Sequence, residues 1–353
     1  MKNPKRTSLN DVAREAGVSL TTVSMVLNSK SDQAAISETT RRRVLDVAFK
    51  MNYSPRVPQI FNAHVKTPLR HLSLAYVDQP PASHHEFLDP AICEISRAAG
   101  EDDLMIHTTE GLRPDETAAY CEKLRQRESG GLIIFTFDFE RPAWLQPFIK
   151  SGIPFVVFNR DFGGDIPCVV MDHQGQAYDQ VGRLLSLGHR QIGCLGHVSD
   201  VSTGPSRQRI EGYRERLRKA SVYNPGLERE MPYSLEAAQQ IAQQMLKEKP
   251  EVTALFCTAD LLAVGVLRAA KNMGLSVPGD LSVASMDGYE FSAYTEPPLT
   301  TIRYPRPEMG RAALKLLHDV VNNKAPKPPR VILRGDMIPG GAVAQCRSLS
   351  RTV

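Results

Sequence analysis

The chain has 353 residues, 42% hydrophobic and 23% charged, proportions that exclude wholesale disorder and leave room for two or three domains. No run reaches the ~18 apolar residues of a membrane helix, and the basic start Met1–Arg6 has no apolar stretch behind it to make a signal peptide. A soluble, cytoplasmic protein without membrane contact is therefore expected. The net charge of +4 is unevenly spread. Residues 1–71 hold twelve Lys/Arg against five Asp/Glu, or +7, and the other 282 residues hold 31 against 34, or −3. A basic arm on a mildly acidic body points to a polyanion partner, although a solvated basic tail would give the same count.

Three short helical patterns fit the arm. Ser8 can cap a helix from Leu9, with Asp11 placed to complete a capping box, and Gly17 stops it. Ser19 can cap a second helix, Leu20 to about Leu27. Ser37 can cap a third, in which Val44, Val47, Ala48 and Met51 recur at helical spacing. Two helices joined by a tight glycine turn, plus a third to close the core, make a helix-turn-helix unit. An ordinary helical hairpin has similar spacing, but the basic charge favours DNA binding.

Residues Ser8–Ser19, Thr22–Asn28, Ser37–Val44 and Asn52–Pro55 resemble the headpiece of the lactose/galactose-repressor family. The resemblance implies that the second helix enters the major groove, with Leu20, Thr21 and Met25 as base readers. Thr21 can hydrogen-bond a base edge or touch a thymine methyl, whereas Leu20 offers only apolar contact. The hydroxyls of Ser19, Thr22 and Ser24 suit phosphate contacts or caps. Asn28, Tyr53 and Arg56 complete the candidate DNA-binding set. Met25 stands where the family usually has Arg, so guanine readout by a bidentate side chain is lost at that position. Residues 54–70, with Pro55, Pro58 and Pro68, form the expected hinge. In the family this segment folds on DNA and wedges a leucine into the minor groove. Asn62 occupies that place here, and a flexible linker fits the prolines as well.

From residue 72 the pattern becomes apolar strands alternating with amphipathic helices. Strands are expected at 72–77, 104–107, 131–135, 153–159, 192–196, 254–257 and 281–286. Helices are expected at 114–127, 176–187, 206–219, 235–247 and 260–273. Such alternation predicts parallel sheets covered by helices, with ligands bound beyond the carboxyl ends of the strands. The sequence has no GxGxxG, P-loop, GxSxG or HExxH pattern, and the six cysteines form no CxxC pair. We therefore expect no enzyme activity, catalytic residue, cofactor or metal, and reduced thiols throughout.

Polar residues instead follow strand after strand: Asn159 and Arg160, Asp172, Asp260 and Asp287, with Arg209 in the helix after residue 196. Side chains of this kind suit hydrogen bonding to a hydroxyl-rich or charged small molecule. Asp172 and Asp260 can equally be helix caps, the reading preferred for Asp260, and Asp287 can be a turn residue. Leu187–Gly193, Arg209–Tyr213, Gly274–Val283, Pro297–Ile302 and Glu308–Arg311 extend the family resemblance over about residues 8–340. By that resemblance Arg209 is an effector-binding residue. Phe87, Asn159, Arg160, Asp287 and Tyr304 complete the candidate effector set.

The implied fold is α/β, with an all-α headpiece (1–53), a hinge (54–70) and a periplasmic-binding-protein-like core (71–345) of two doubly wound lobes. These lobes are expected at about 71–170 with 303–330, and 171–302 with 331–345. The implied function is a homodimeric, sequence-specific regulator, of repressor type, acting on double-stranded operator DNA under allosteric control by a sugar or sugar derivative. The competing reading is a sugar sensor whose headpiece binds DNA without specificity. Ala259, where the family commonly has Asn, and the unusual loop 78–87 leave the effector's identity open.

Overall fold

The computed structural model describes residues 8–27, 36–37, 39–40, 43–44, 47, 69–77, 85–136, 144–197 and 204–346. The chain divides into two compact units, residues 1–170 with 307–331, and residues 171–306 with 332–353.

At the start of the first unit stand α1 (Leu9–Ala16) and α2 (Leu20–Leu27). Residues 39–40, 43–44 and 47 are also helical. Val12, Ala13, Ala16, Val23, Val26 and Val44 form a small common core. The remainder of this unit alternates strand and helix: β1 (His71–Val77), α3 (His85–Glu101), β2 (Met105–Leu112), α4 (Thr117–Gln126), β3 (Gly131–Thr136), α5 (Leu145–Ser151), β4 (Phe155–Phe158) and β5 (Cys168–Met171).

The second unit continues with α6 (His173–Ser186), β6 (Ile192–His197), α7 (Pro205–Lys219), β7 (Glu228–Met231), α8 (Leu235–Glu248), β8 (Ala254–Cys257), α9 (Asp260–Asn272), β9 (Ser282–Ala284) and β10 (Thr301–Arg303). Helix α10 (Arg306–Val321), β11 (Arg330–Leu333) and β12 (Asp336–Ile338) follow, and the chain passes between the units at 306/307 and again at 331/332.

The first sheet has the order β11-β5-β4-β3-β1-β2, and the second β7-β6-β8-β9. The pairings β1–β2, β1–β3, β3–β4 and β4–β5 in the first sheet and β6–β7, β6–β8 and β8–β9 in the second are all parallel. A short antiparallel ribbon joins β10 to β12. Strands β3, β4 and β8 are buried along their whole length. That is the signature of parallel strands covered on both faces, rather than the alternation of a half-solvated sheet. Helices supply the cover. In the second unit, Ala238, Ala242 and Met245 of α8 pack with Leu262 and Val266 of α9 and Leu255 of β8. On the other side, Val181 of α6 and Tyr213 and Leu217 of α7 meet Phe256. The Tyr213 hydroxyl donates to the Ile192 carbonyl at 2.8 Å, so the one polar atom of a fully buried ring is satisfied. Gly212 sits where α7 crosses α6, and a Cβ there would lie 2.2 Å from the Gln174 carbonyl oxygen.

The expected α/β architecture is present, with local differences. The strand expected at 104–107 runs on to Leu112 through polar residues, because β2 is an edge strand with solvent beside it. The strand expected at 153–159 ends at Phe158, since Asn159 turns into the left-handed region at φ 57°. The one expected at 281–286 covers only Ser282–Ala284.

Candidate functional site

Helix α1 begins as its sequence dictates. The Ser8 hydroxyl accepts from the Asp11 amide at 3.3 Å, and the Asp11 carboxylate accepts from the Ser8 amide at 2.8 Å. Gly17 ends the helix at φ 62°, a conformation glycine adopts without steric cost. Ser19 then starts α2: its Oγ accepts from the Thr22 amide at 3.0 Å and lies 2.8 Å from the Thr22 hydroxyl. Ser37 and Thr40 repeat the arrangement at 3.2 Å and 2.9 Å. Thus the hydroxyls of Ser19 and Thr22 are engaged at the cap.

Because α2 advances about 100° per residue, the buried Val23 and Val26 define one face and Leu20 and Thr21 another. Leu20 is 45% exposed, a high value for a leucine, and Thr21 is exposed too. Met25 lies on the same side as Thr21, one turn on, and is half-buried. Ser24 belongs to α2, but its side chain lies outside what is described; Asn28, Tyr53, Arg56 and the hinge lie outside the described residues altogether.

Three of the candidate effector residues meet in the second unit. Arg209 projects from the second turn of α7 and is 5% exposed; Asp287 is 7% and Tyr304 4% exposed. Arg209 Nη1 donates to Asp287 Oδ1 at 3.0 Å and to the Thr258 carbonyl, and Nη2 donates to the Tyr304 hydroxyl. Its guanidinium carbon lies 5.4 Å from the Tyr304 ring centre. Among the described residues the buried Arg209 Nε has no hydrogen-bond partner. The Tyr304 hydroxyl also lies 3.3 Å from His173 Nδ1. Burial pushes the Tyr304 phenol up. Burial also raises the Asp287 carboxyl, with the Arg209 and Arg306 guanidinia and the Asp260 amide pulling it back down.

Asp260 corrects the expectation of a helix cap. Asp260 is the first residue of α9, the N-cap is Ala259, and the Asp260 carboxylate turns away from its own helix. Its Oδ1 accepts from the hydroxyls of Ser285 and Thr301, each at 2.6 Å, and its Oδ2 accepts from the Tyr289 amide at 2.9 Å. Burial lifts this carboxyl to about 7. Asp172, by contrast, is a cap: its side chain accepts from the Gly175 amide at 2.9 Å.

Asn159 and Arg160 follow β4 in the first unit. Arg160 is buried, and Asn159 Oδ1 is buried without a hydrogen-bond partner among the described residues. Phe87 lies in the first turn of α3, its side chain outside what is described. Sequence reasoning passed over His173, Tyr289 and Arg306. Arg306 is buried, and it donates to the backbone of Asp287 and Gly288. No periodicity or motif marks a side chain that serves backbone carbonyls eighteen or nineteen positions away.

Residues 8–56 match the bacterial regulatory proteins of the lacI family, and residues 181–343 match a periplasmic binding protein-like domain. The HTH-type transcriptional regulator DegA of Bacillus subtilis is 32% identical over 313 residues, covering 86% of this chain and 88% of DegA. The chain belongs to the LacI family. Another LacI-type relative, the HTH-type transcriptional regulator MalR of Streptomyces coelicolor, is 32% identical over 93% of this chain and 96% of its own. Among solved structures, the transcriptional regulator CelR in complex with cellobiose superposes with a TM-score of 0.69 at 24% identity. That match covers 96% of this chain and 100% of CelR, and it shows a shared fold. The protein is thus a LacI-family DNA-binding transcriptional regulator: an N-terminal helix-turn-helix and an effector-binding α/β core. No helix among the described residues is long and apolar enough to cross a membrane.

Proposed function

We propose that this LacI-family regulator represses transcription as a homodimer on a two-half-site operator, and that a sugar or sugar derivative bound at Arg209 and Asp287 sets its operator affinity. The observation that carries the effector reading is a buried arginine–aspartate pair just beyond the strand ends, with one guanidinium N–H lacking an acceptor among the described residues. A guanidinium fork donates and a carboxylate accepts, so together they can bind neighbouring hydroxyls of one molecule. That the structure of CelR holds cellobiose agrees with a carbohydrate effector. Neither Arg209 nor Asp287 is a nucleophile with a general base beside it, so the site binds without turning over. The proposed role is therefore that of a regulator rather than an enzyme.

On the DNA side, Leu20, Thr21 and Met25 are proposed to face base edges, while the capped start of α2 sits against phosphate. Symmetry supports the dimer, because one helix-turn-helix reads one half-site. Effector and operator each favour one state of the protein, so each changes the other's affinity by the same factor.

The test is a thermal-shift screen of the full chain against a sugar panel, repeated with Asp287→Asn and Arg209→Lys, together with binding to its own upstream DNA across a salt series. A sugar that stabilises the parent chain and neither variant supports the site. Equal stabilisation of all three would overturn it. Steep salt dependence without sequence preference would favour a sensor with a non-specific headpiece.

A further inference from the structure

The residue that presents Asp287 is not free to choose its conformation. Asp287 stands at φ 130°, which L-residues rarely adopt, and Gly288 follows at φ 62°. Such backbone persists only where the surroundings over-determine it. Here they do, and nearly every restraint comes from a buried side chain. The Asp287 amide donates to the Ile302 carbonyl at 3.1 Å. Arg306 Nη2 donates to the Asp287 carbonyl at 2.8 Å, and Nη1 to the Gly288 carbonyl at 3.4 Å. The Gly288 amide donates to Thr301 Oγ1 at 3.2 Å, and that hydroxyl in turn donates to Asp260 Oδ1. Asp260 Oδ2 takes the Tyr289 amide. The Arg306 guanidinium also lies 4.9 Å from the Tyr289 ring centre, which closes the turn from the side.

Resting on the reading of Arg209 and Asp287 as the effector site, we propose that Arg306 and Asp260 are its positioning residues: from opposite sides they hold the Asp287–Gly288–Tyr289 turn so that the Asp287 carboxylate meets Arg209. Two features support a dedicated role. Both side chains are buried and ionisable, a costly choice unless they are hydrogen-bonded; Arg306 donates to two carbonyls of this turn, and Asp260 takes the Tyr289 amide directly and the Gly288 amide through the Thr301 hydroxyl. Their chemistry is also complementary: the guanidinium meets only acceptors, the carboxylate only donors, so together they serve both kinds of backbone group in three consecutive residues. Neither residue contacts the effector in this scheme. Both act through Asp287.

The test needs no ligand. The Nε–H of Arg209 is a buried donor whose NMR resonance, assigned by its loss in Arg209→Lys, reports the guanidinium's surroundings. In Arg306→Met and Asp260→Ala that resonance is expected to shift or broaden, and the Gly288 and Tyr289 amides to exchange at least ten times faster. Amides of β6 and β8 should keep their protection. Arg306→Lys, which retains one donor, and Asp260→Asn, whose amide can still accept from Tyr289, should restore most of the parent signal. An unchanged Arg209 resonance and unchanged exchange in both disruptive variants would overturn the inference. So would loss of protection spread evenly over the whole unit, or failure of both conservative variants to rescue. The sugar screen with Asp287→Asn is a separate experiment, so the site reading can fail while the clamp stands, and the clamp can fail while the site stands.

Discussion

The two functional regions hold their working side chains in opposite ways. On α2 the candidate base readers Leu20 and Thr21 are exposed and Met25 is half-buried, while folding rests on the buried Val23 and Val26. In the second unit the candidate effector residues are themselves buried, and each is bonded to another buried group. A residue of the first kind can change without touching stability, whereas one of the second kind serves fold and function at once. If these residues act as proposed, specificity for DNA is open to drift, whereas the candidate effector site is bound to its scaffold.

The largest effect is expected from removing one partner of the buried pair. Arg209→Ala removes the hydrogen-bonded ion-pair partner of the buried Asp287, leaving only the Arg306 guanidinium and the Asp260 amide to favour its charge, and is expected to lower unfolding free energy by roughly 3 kcal/mol or more along with loss of the effector response. Denaturant unfolding measures the first quantity. A variant as stable as the parent would show that burial here is not structural.

Asp260 gives the next largest effect. Its carboxyl is raised to about 7 in the folded chain, against about 3.9 in an unfolded one. Its contribution to stability is therefore complete below pH 4 and is lost as pH rises through 7. Relative to Asp260→Asn, which resembles the neutral form at every pH, the parent should lose on the order of 4 kcal/mol across that window. Thermal unfolding of both chains from pH 4 to 8 measures it, and parallel curves would refute it.

The headpiece predictions are smaller. Met25→Arg should gain about 1–3 kcal/mol of preference for guanine at one position per half-site, read by selection from random DNA. Ser8→Ala should cost about 1 kcal/mol of local stability through loss of the capping box, read by amide exchange over residues 9–16. Thr21→Ala should change stability by less than about 0.5 kcal/mol, yet still alter base preference. If Thr21→Ala destabilises the headpiece more than Ser8→Ala does, the division between a reading face and a structural face fails.

Legibility in the sequence follows the same divide. Caps and apolar runs are local, so Ser8, Gly17, Ser19 and the buried strands could be read directly, and Arg209 and Asp287 stood out by their place after strands. Strand β7, Glu-Arg-Glu-Met, could not be read: an edge strand with one buried residue shows neither an apolar run nor alternation. Asp260 was misread because an aspartate at a helix start looks the same whether it bonds its own helix or a distant turn. Arg306 was invisible because its partners are carbonyls, which every residue possesses. Long-range polar satisfaction is what a local reading cannot see.

Gly288 carries a consequence for anyone wishing to retarget this regulator. A Cβ there would lie 2.2 Å from the Arg303 Cα, in addition to the positive φ. Randomising the most obvious stretch around Asp287 would therefore fill a mutant library with misfolded members. The productive alphabet lies elsewhere: on side chains facing the ligand that do not hold the turn, with residues 260, 288 and 306 kept fixed as grammar rather than vocabulary.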